Sequence, residues 1–296
     1  MPLDPALNPV AILTALGITN ATALTPVPGG ADTALWRVEH GATTYALRVF
    51  RREQVATYHR ELLAMELAHH AHVLVSTVHA TAVWQDRPAL LLSWCPGSPL
   101  GPILRQHPWR VWSLGRAFGQ MQAHLHAVGA PTLGTQPSAD WIAWAGPDEP
   151  WLQATLRRTA STTAALLHLD YHPLNVLTDG TQITAVLDWA NARGGDPRAD
   201  VARTYTILMV EPYGPGRQGL ALGLLRRLLT RSWQRGYEAV AGPLQEMAPF
   251  YAWAGAVMVR DLAPRVTDPQ SWWQPHHLEQ IRGWTRRWQQ RTAGTT

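Results

Sequence analysis

The sequence predicts an α+β fold in two lobes of unequal size, a small antiparallel β-sheet lobe followed by a larger, mostly helical one. Three observations predict it. Short runs of β-branched and aromatic residues, punctuated by Gly, Pro and Asp, crowd the chain between Leu24 and Trp94, with one helical pattern among them. From Trp109 onward apolar residues recur at helical spacing instead. At 296 residues the chain is long enough to bury two such lobes, and the change of pattern places the boundary at residues 95 and 96: 1–95 and 96–296.

In the first lobe, Asn8-Pro9 before Val10 to Leu16 reads as a short helix with Asn at the N-cap, Pro in the first turn and Gly17 past the end. Leu24 to Pro28, Thr33 to Glu39 and Thr43 to Phe50 read as strands, broken by Pro28-Gly29-Gly30-Ala31-Asp32 and by His40-Gly41. Gly29 and Gly30 free backbone N–H groups to approach a phosphate, although an ordinary hairpin turn makes the same demand. In the third strand Ala46 and Arg48 share one face and Tyr45, Leu47 and Val49 the other, so a small residue and a cation point the same way. Glu53 to Ala71 reads as a helix whose stripe is Leu62, Leu63, Met65, Glu66, Leu67 and Ala68. His69, His70 and His72 follow it without the carboxylate or cysteine partners of a zinc site. Val78 to Trp84 and Ala89 to Trp94 form a hairpin around Gln85-Asp86-Arg87-Pro88 that runs into Cys95-Pro96-Gly97. Cys95, the only cysteine, excludes an internal disulfide and reads as a packed residue.

In the second lobe, Trp109 to Val128 reads as a helix through Val111, Leu114, Phe118, Met121 and Leu125, followed by Trp141 to Gly146 and Pro150 to Thr159. Ala164 to Leu167 then leads into His168-Leu169-Asp170-Tyr171-His172-Pro173-Leu174-Asn175. Asn175 to Thr178 and Gln182 to Leu187 are strands around the hairpin signal Asp179-Gly180. If Thr178 pairs with Thr181, Asp188 falls opposite Tyr171, beside Asp170; a longer loop shifts that register by a residue or two. Asp170, Asn175 and Asp188 thus offer oxygen donors suited to a hard cation such as Mg²⁺. Beyond Asp200, helices are expected over Val201 to Val210, Arg217 to Gly236, Leu244 to Leu262 and Pro275 to Gln290.

The spacing H-x-D-x-x-x-x-N, a strand, then Leu187-Asp188-Trp189 and Gly195-Asp196-Pro197-Arg198-Ala199-Asp200 resembles the aminoglycoside phosphotransferase and choline kinase group, relatives of the protein kinases. The resemblance covers roughly residues 20 to 210 and implies a protein-kinase-like fold. It implies Asp170 as catalytic base, Asn175 and Asp188 as Mg²⁺ ligands, His168 as a brace and Asp200 as the tie between a helix start and the catalytic loop. In the first lobe it implies that Gly29 and Gly30 cover the phosphates, that Ala46 and Leu92 border adenine and that the backbones of Ser93 and Cys95 bond the base. Arg48 would hold the α- and β-phosphates where protein kinases have lysine, with Glu61 as its partner and Glu66 as the competing choice. The implied reaction moves the γ-phosphoryl group of ATP, with GTP admissible and Mg²⁺ as the metal, to a hydroxyl of a small molecule.

Composition bounds the remaining readings. No apolar run spans a bilayer and no leader precedes Asp4, so a soluble, cytoplasmic protein is expected. All 25 basic residues counted as Lys plus Arg are arginine, so a phosphate-binding cation must be a guanidinium. The formal charge of +4 and the Arg-Trp interleaving over 282–288 raise RNA binding, but the other arginines are scattered and a solvated amphipathic helix accounts for the segment. A catalytically silent nucleotide-binding scaffold is the other alternative, and the presence of Asp170, Asn175 and Asp188 together speaks against it. Eleven residues between Asp188 and Asp200 leave no room for a peptide platform, so the acceptor is a small molecule: an aminoglycoside-like antibiotic, an amino alcohol or a sugar. Trp141, Trp144, Trp189, Trp253, Trp272 and Trp273 are its candidate aromatic contacts, and Asp196, Glu211, Glu246, Asp261 and Asp268 its candidate acidic ones.

Overall fold

Asn8 starts the first element as its side chain predicts. Its carboxamide oxygen accepts from Ala11 N–H at 3.1 Å, Pro9 occupies the first turn, and helix α1 spans Pro9–Ala15 before Gly17, at φ +82°, turns the chain. The computed structural model describes residues 7–27, 33–134, 140–210, 216–268, 271 and 273–294.

Strands β1 (Ala23–Pro26), β2 (Ala34–His40), β3 (Thr43–Val49), β4 (Val78–Trp84) and β5 (Arg87–Ser93) form one antiparallel sheet in the order β1-β2-β3-β5-β4. Gln85 and Asp86 both take positive φ, 47° and 62°, as a two-residue hairpin turn requires, which draws Arg87 and Pro88 into β5 rather than the loop. The alternation in β3 divides the lobe. Leu47 and Val49 pack with Trp36, Val38, Ile12 and Leu13 beneath α1, while Ala46 joins Leu90, Leu92 and the face of α2 (Val55–His70) that carries Ala64, Met65 and Ala68. Glu66 departs from the expected stripe and is exposed, whereas Glu61 is buried.

The chain leaves the sheet through β6 (Ser98–Pro99) and α3 (Leu100–Gln106), neither of which the sequence signalled; Pro108–Arg110 then forms a 3-10 turn ahead of α4 (Val111–His126). Helix α5 (Pro150–Thr159) precedes β7 (Ala165–Leu167), β8 (Val176–Thr178), β9 (Ile183–Val186) and β10 (Arg193–Gly195). Helices α6 (Pro197–Val210), α7 (Gly216–Ala241), α8 (Ala248–Val266) and α9 (Pro275–Ala293) complete the lobe. β8 lies between β6 and β9, and β10 pairs with β7. Helices α4 and α7 touch through their backbones: a Cβ on Gly119 would stand 2.0 Å from the Trp233 carbonyl oxygen, and one on Gly236 would stand 2.1 Å from that of Arg116. In α9, Trp284 and Trp288 pack against Tyr251, so these rings face the protein. Among the described residues no helix is long and apolar enough to cross a membrane.

The β8–β9 hairpin corrects the expected register. Asp179 Oδ1 accepts from Thr181 N at 2.7 Å and Gln182 N at 2.9 Å, and this closes a four-residue loop in place of the two-residue turn. Val176 therefore faces Val186, and Asp188 emerges beside Asn175 instead of opposite Tyr171. Leu187 N–H donating to the Asn175 carbonyl at 2.8 Å fixes this exit.

Candidate active site

The loop from His168 to Asn175 is irregular, so its backbone groups need partners from elsewhere. Asp200, fully buried in the first turn of α6, supplies them: Oδ1 accepts from Leu169 N–H at 2.7 Å, and Oδ2 from His168 N–H at 3.2 Å and from His126 Nε2 at 2.9 Å. Burial by itself would raise this carboxyl; the hydrogen bond and charge of His126 and the His168 contacts outweigh it and hold the group below its usual range. Leu169 sits at φ +61°, a left-handed conformation costing a branched residue on the order of 1–3 kcal/mol, and Arg203 Nε anchors its carbonyl at 3.2 Å. His168, fully buried, accepts from Asp170 N–H through Nδ1 at 3.3 Å and donates from Nε2 to the Leu187 carbonyl at 2.9 Å, tying the loop to the strand end before Asp188. Tyr171 donates to the Phe118 carbonyl at 2.7 Å, its ring stacked on Phe118, which anchors the loop on α4.

These ties bring Asp170, Asn175 and Asp188 to one rim. Asn175 Nδ2 reaches the Asp170 carbonyl at 3.0 Å and its Oδ2 at 3.3 Å, which turns the carboxamide oxygen away from Asp170. Burial would raise the Asp170 carboxyl, but His172, with Nε2 3.7 Å from Oδ2, and the charges of Arg203 and His168 bring it down to about 2. Asp188 is 47% exposed and holds φ +62°. Arg48 Nη2 stands 3.5 Å from its Oδ1.

Arg48 joins this rim to the sheet lobe. Its Nη1 pairs with Glu61 Oε1, and its Nε donates to Thr33 Oγ1 at 3.1 Å. Of the two glutamates weighed as its partner, Glu61 makes the ion pair. Burial pushes the Glu61 carboxyl up to about 7 against the pull of Arg48, with Asp188 adding to the rise. Ala46 and Leu92 are cross-strand neighbours on β3 and β5, buried on the face that carries Arg48. Ser93 N–H donates to the Thr77 carbonyl at 2.8 Å, which ties this end of β5 to the segment before β4. Cys95 Sγ lies 3.0 Å from Ser76 Oγ, and burial pushes the thiol up. Gly29 and Gly30 fall outside the described residues.

Near Asp170, two of the residues named as candidate acceptor contacts, Trp144 and Asp261, meet Arg203, which the sequence did not single out. Arg203 pairs with Asp261 at 3.1 Å, and Trp144 Nε1 donates to the other oxygen of Asp261 at 3.2 Å. Arg203 shared the helical face of Asp200 three positions earlier, a signal that could have found it; Arg193 and His172 carried none. Trp141, Trp189, Trp253 and Trp273 are buried, Asp196 is held by Arg198, Glu246 is exposed, and Glu211 and Trp272 lie outside the described residues.

A sheet lobe carrying an Arg–Glu pair above a clasped Asp-Asn loop and a second aspartate defines a small-molecule kinase of protein-kinase-like architecture. The model of the phosphotransferase enzyme family matches residues 23–243, and the chain belongs to that family. Among solved structures it is similar to a thermostable mutant of aminoglycoside phosphotransferase APH(4)-Ia in ternary complex with AMP-PNP and hygromycin B, with TM-score 0.66, 15% identity and coverage of 97% of this chain and 98% of that one. It is also similar to spectinomycin phosphotransferase APH(9)-Ia in complex with ADP and spectinomycin, with TM-score 0.57, 12% identity and coverage of 94% and 92%. A third is aminoglycoside phosphotransferase APH(3'')-Id from Streptomyces rimosus, with TM-score 0.58, 17% identity and coverage of 85% and 98%. At these identities the likeness is one of fold. No curated protein matches the chain.

Proposed function

We propose that this enzyme transfers the γ-phosphoryl group of ATP to a hydroxyl of a small molecule, with Asp170 as the base and Mg²⁺ held by Asn175 and Asp188. The observation that carries the reading is the convergence of Asp170, Asn175, Asp188 and Arg48 on one rim between the lobes. Residues 1–95 then form the nucleotide-binding lobe and 96–296 the catalytic and acceptor lobe, working in the cytoplasm where the nucleotide is.

The donor set fits the metal. Among the described residues no group of three or more His, Cys, Asp or Glu side chains gathers around one point, so a cation at this rim rests on one carboxylate, one carboxamide oxygen and phosphate oxygens. Mg²⁺ tolerates few protein ligands and prefers oxygen. When bound it neutralises charge on the phosphates. The protein's own groups do the rest. Arg48, anchored by Glu61, presents a guanidinium to the phosphates. Asp170 stays ionised throughout the physiological range, and Asn175 orients it through Nδ2. An acceptor hydroxyl hydrogen-bonded to that carboxylate is aligned for in-line attack and gives up its proton there as its oxygen bonds the γ-phosphorus and the bond to the β,γ-bridging oxygen breaks, releasing ADP.

The acceptors named for the neighbouring structures, hygromycin B and spectinomycin, make antibiotics the first class to test, followed by amino alcohols and sugars. The experiment is nucleoside diphosphate release with ATP or GTP across an acceptor panel, with and without Mg²⁺. Acceptor-dependent release that chelation abolishes is expected; full turnover in metal-free buffer would overturn the metal assignment.

A further inference from the structure

Arg193, on β10, is 9% exposed and, like Arg60, lacks the carboxylate partner that other arginines around the site have. Arg48 has Glu61, Arg198 has Asp196 and Arg203 has Asp261, whereas among the described residues no carboxylate lies within ion-pair distance of Arg193. Its Nη1 donates to the carbonyls of Asn191 and Ala192 at 3.0 Å each, and its Nε is buried without any partner. A buried cation left uncompensated is unfavourable unless something else brings negative charge to it. Burial and, second, the charge of Arg60 push this guanidinium down to about 10, so it is still positive at neutral pH.

Its position points to the acceptor side of the site. The Cζ of Arg193 lies 5.4 Å from the centre of the Trp144 ring, and that of Arg203 lies 5.3 Å from the same centre. Arg203 in turn holds the carbonyl of Leu169, the residue before Asp170. Arg60 donates to the Ala190 carbonyl at 2.7 Å, so two guanidinium groups hold consecutive carbonyls of the segment that follows Asp188. Asp261, the nearby carboxylate that could have met an ammonium group, has its oxygens engaged by Arg203 and Trp144.

We propose that Arg193, with Arg60 beside it, forms an oxyanion subsite in the acceptor pocket, so that the molecule phosphorylated here is an alcohol bearing a carboxylate or phosphate rather than a polycation. The proposal rests on the phosphotransfer reading for the hydroxyl that meets Asp170, but its charge preference is measurable without turnover. An anion that reaches Arg193 supplies the countercharge its guanidinium lacks, through charge-assisted hydrogen bonds. If Arg193 only braces the Asn191 and Ala192 carbonyls, ligand charge has no bearing on binding.

Four probes on one three-carbon skeleton separate these outcomes: glycerate, glycerol 3-phosphate, glycerol and 3-amino-1,2-propanediol, titrated by ligand-observed NMR against the full chain with Mg²⁺ and AMP-PNP. The expected result is that one or both anionic probes bind at least about ten-fold tighter than glycerol, with the amine weakest. Glycerate leading marks the ligand as a carboxylate, and glycerol 3-phosphate leading marks it as a phosphate ester. In Arg193→Gln the advantage of the anions shrinks to less than about three-fold, and Arg193→Lys restores part of it, each variant being checked for a cooperative thermal transition. Equal binding of all four probes, a leading amine, or an anion preference that survives in Arg193→Gln overturns the subsite. Nucleoside diphosphate release with ATP is followed in parallel: charge order without release counts against phosphotransfer alone, and release without charge order counts against the subsite alone.

Discussion

His126 on α4 and Asp200 on α6 meet at 2.9 Å in the buried centre of the larger lobe, and the same carboxylate receives the backbone N–H groups of His168 and Leu169. One side chain thus fixes a helix pair and the loop from His168 to Asn175 together. Asp200→Asn removes the charge from this clasp and is expected to cost about 2–4 kcal/mol, the scale of lost charge-assisted hydrogen bonds in a buried site. The sign with pH follows. Asp200 is lowered from 3.8 in the folded state, so its contribution is fully present above that value and fades as pH falls below it. Urea unfolding of wild type and variant at neutral pH and below pH 3.8 should show the difference between them shrinking at the lower pH.

Helices α4 and α7 approach to backbone contact at two glycines, with side-chain bonds such as Trp233 Nε1 to Gln122 Oε1 at 2.8 Å along the same seam. Gly119→Ala drives a methyl group toward the Trp233 carbonyl and the Tyr237 N–H, which stand 2.0 and 2.6 Å from the new Cβ. Neither can rotate away, so destabilisation of about 1–3 kcal/mol or more is expected. Because Phe118 next to it anchors Tyr171, thermal denaturation and kcat should decline together.

Arg48→Ala should raise the nucleotide KM, while Arg48→Lys should retain part of the function because the phosphates need a cation before they need a fork. Glu61 adds a pH signature. With its carboxyl at about 7, acidification protonates it and releases Arg48, so kcat/KM for the nucleotide should fall as pH drops through that value. Glu61→Gln should flatten this limb. An unchanged acid limb in that variant would assign it to another group.

Asp170→Asn should keep nucleotide binding and lower kcat by roughly two to four orders of magnitude, as loss of a general base does. Asp188→Asn should weaken Mg²⁺-dependent nucleotide binding as well as turnover, since it removes the anionic ligand. Titrating Mg²⁺ and ATP against each variant separates the roles; equal loss of nucleotide affinity in both would merge them.

The architecture was legible because its signals are local and redundant. Alternation in Thr43 to Phe50 placed Arg48 on the face of Ala46, and the Asn8-Pro9 cap announced its helix. The hairpin failed at one residue. Asp179 can serve a two-residue turn or close a longer loop through its own side chain, and only the packing of Val176 and Val186 in the core decides between them. β6 and β10 were invisible because two- and three-residue strands carry no period. Trp144 and Asp261 were named as candidates but could not be placed, and Arg193 and Arg203 were not named at all: the four come from separate segments, and no spacing along a chain records a meeting made by tertiary packing.

Loops that carry chemistry are commonly the first parts of a protein to yield to solvent. Here the Leu169 amide, in irregular backbone two positions past the end of β7, bonds to a fully buried carboxylate inside the lobe. Freeing its proton means breaking the loop's bonds to Asp200 and to Arg203 together, inside the buried lobe. In native-state hydrogen exchange that amide should therefore be replaced as slowly as those of α4, and only through openings that dismantle the lobe. The protein has built its most reactive loop out of its least yielding material.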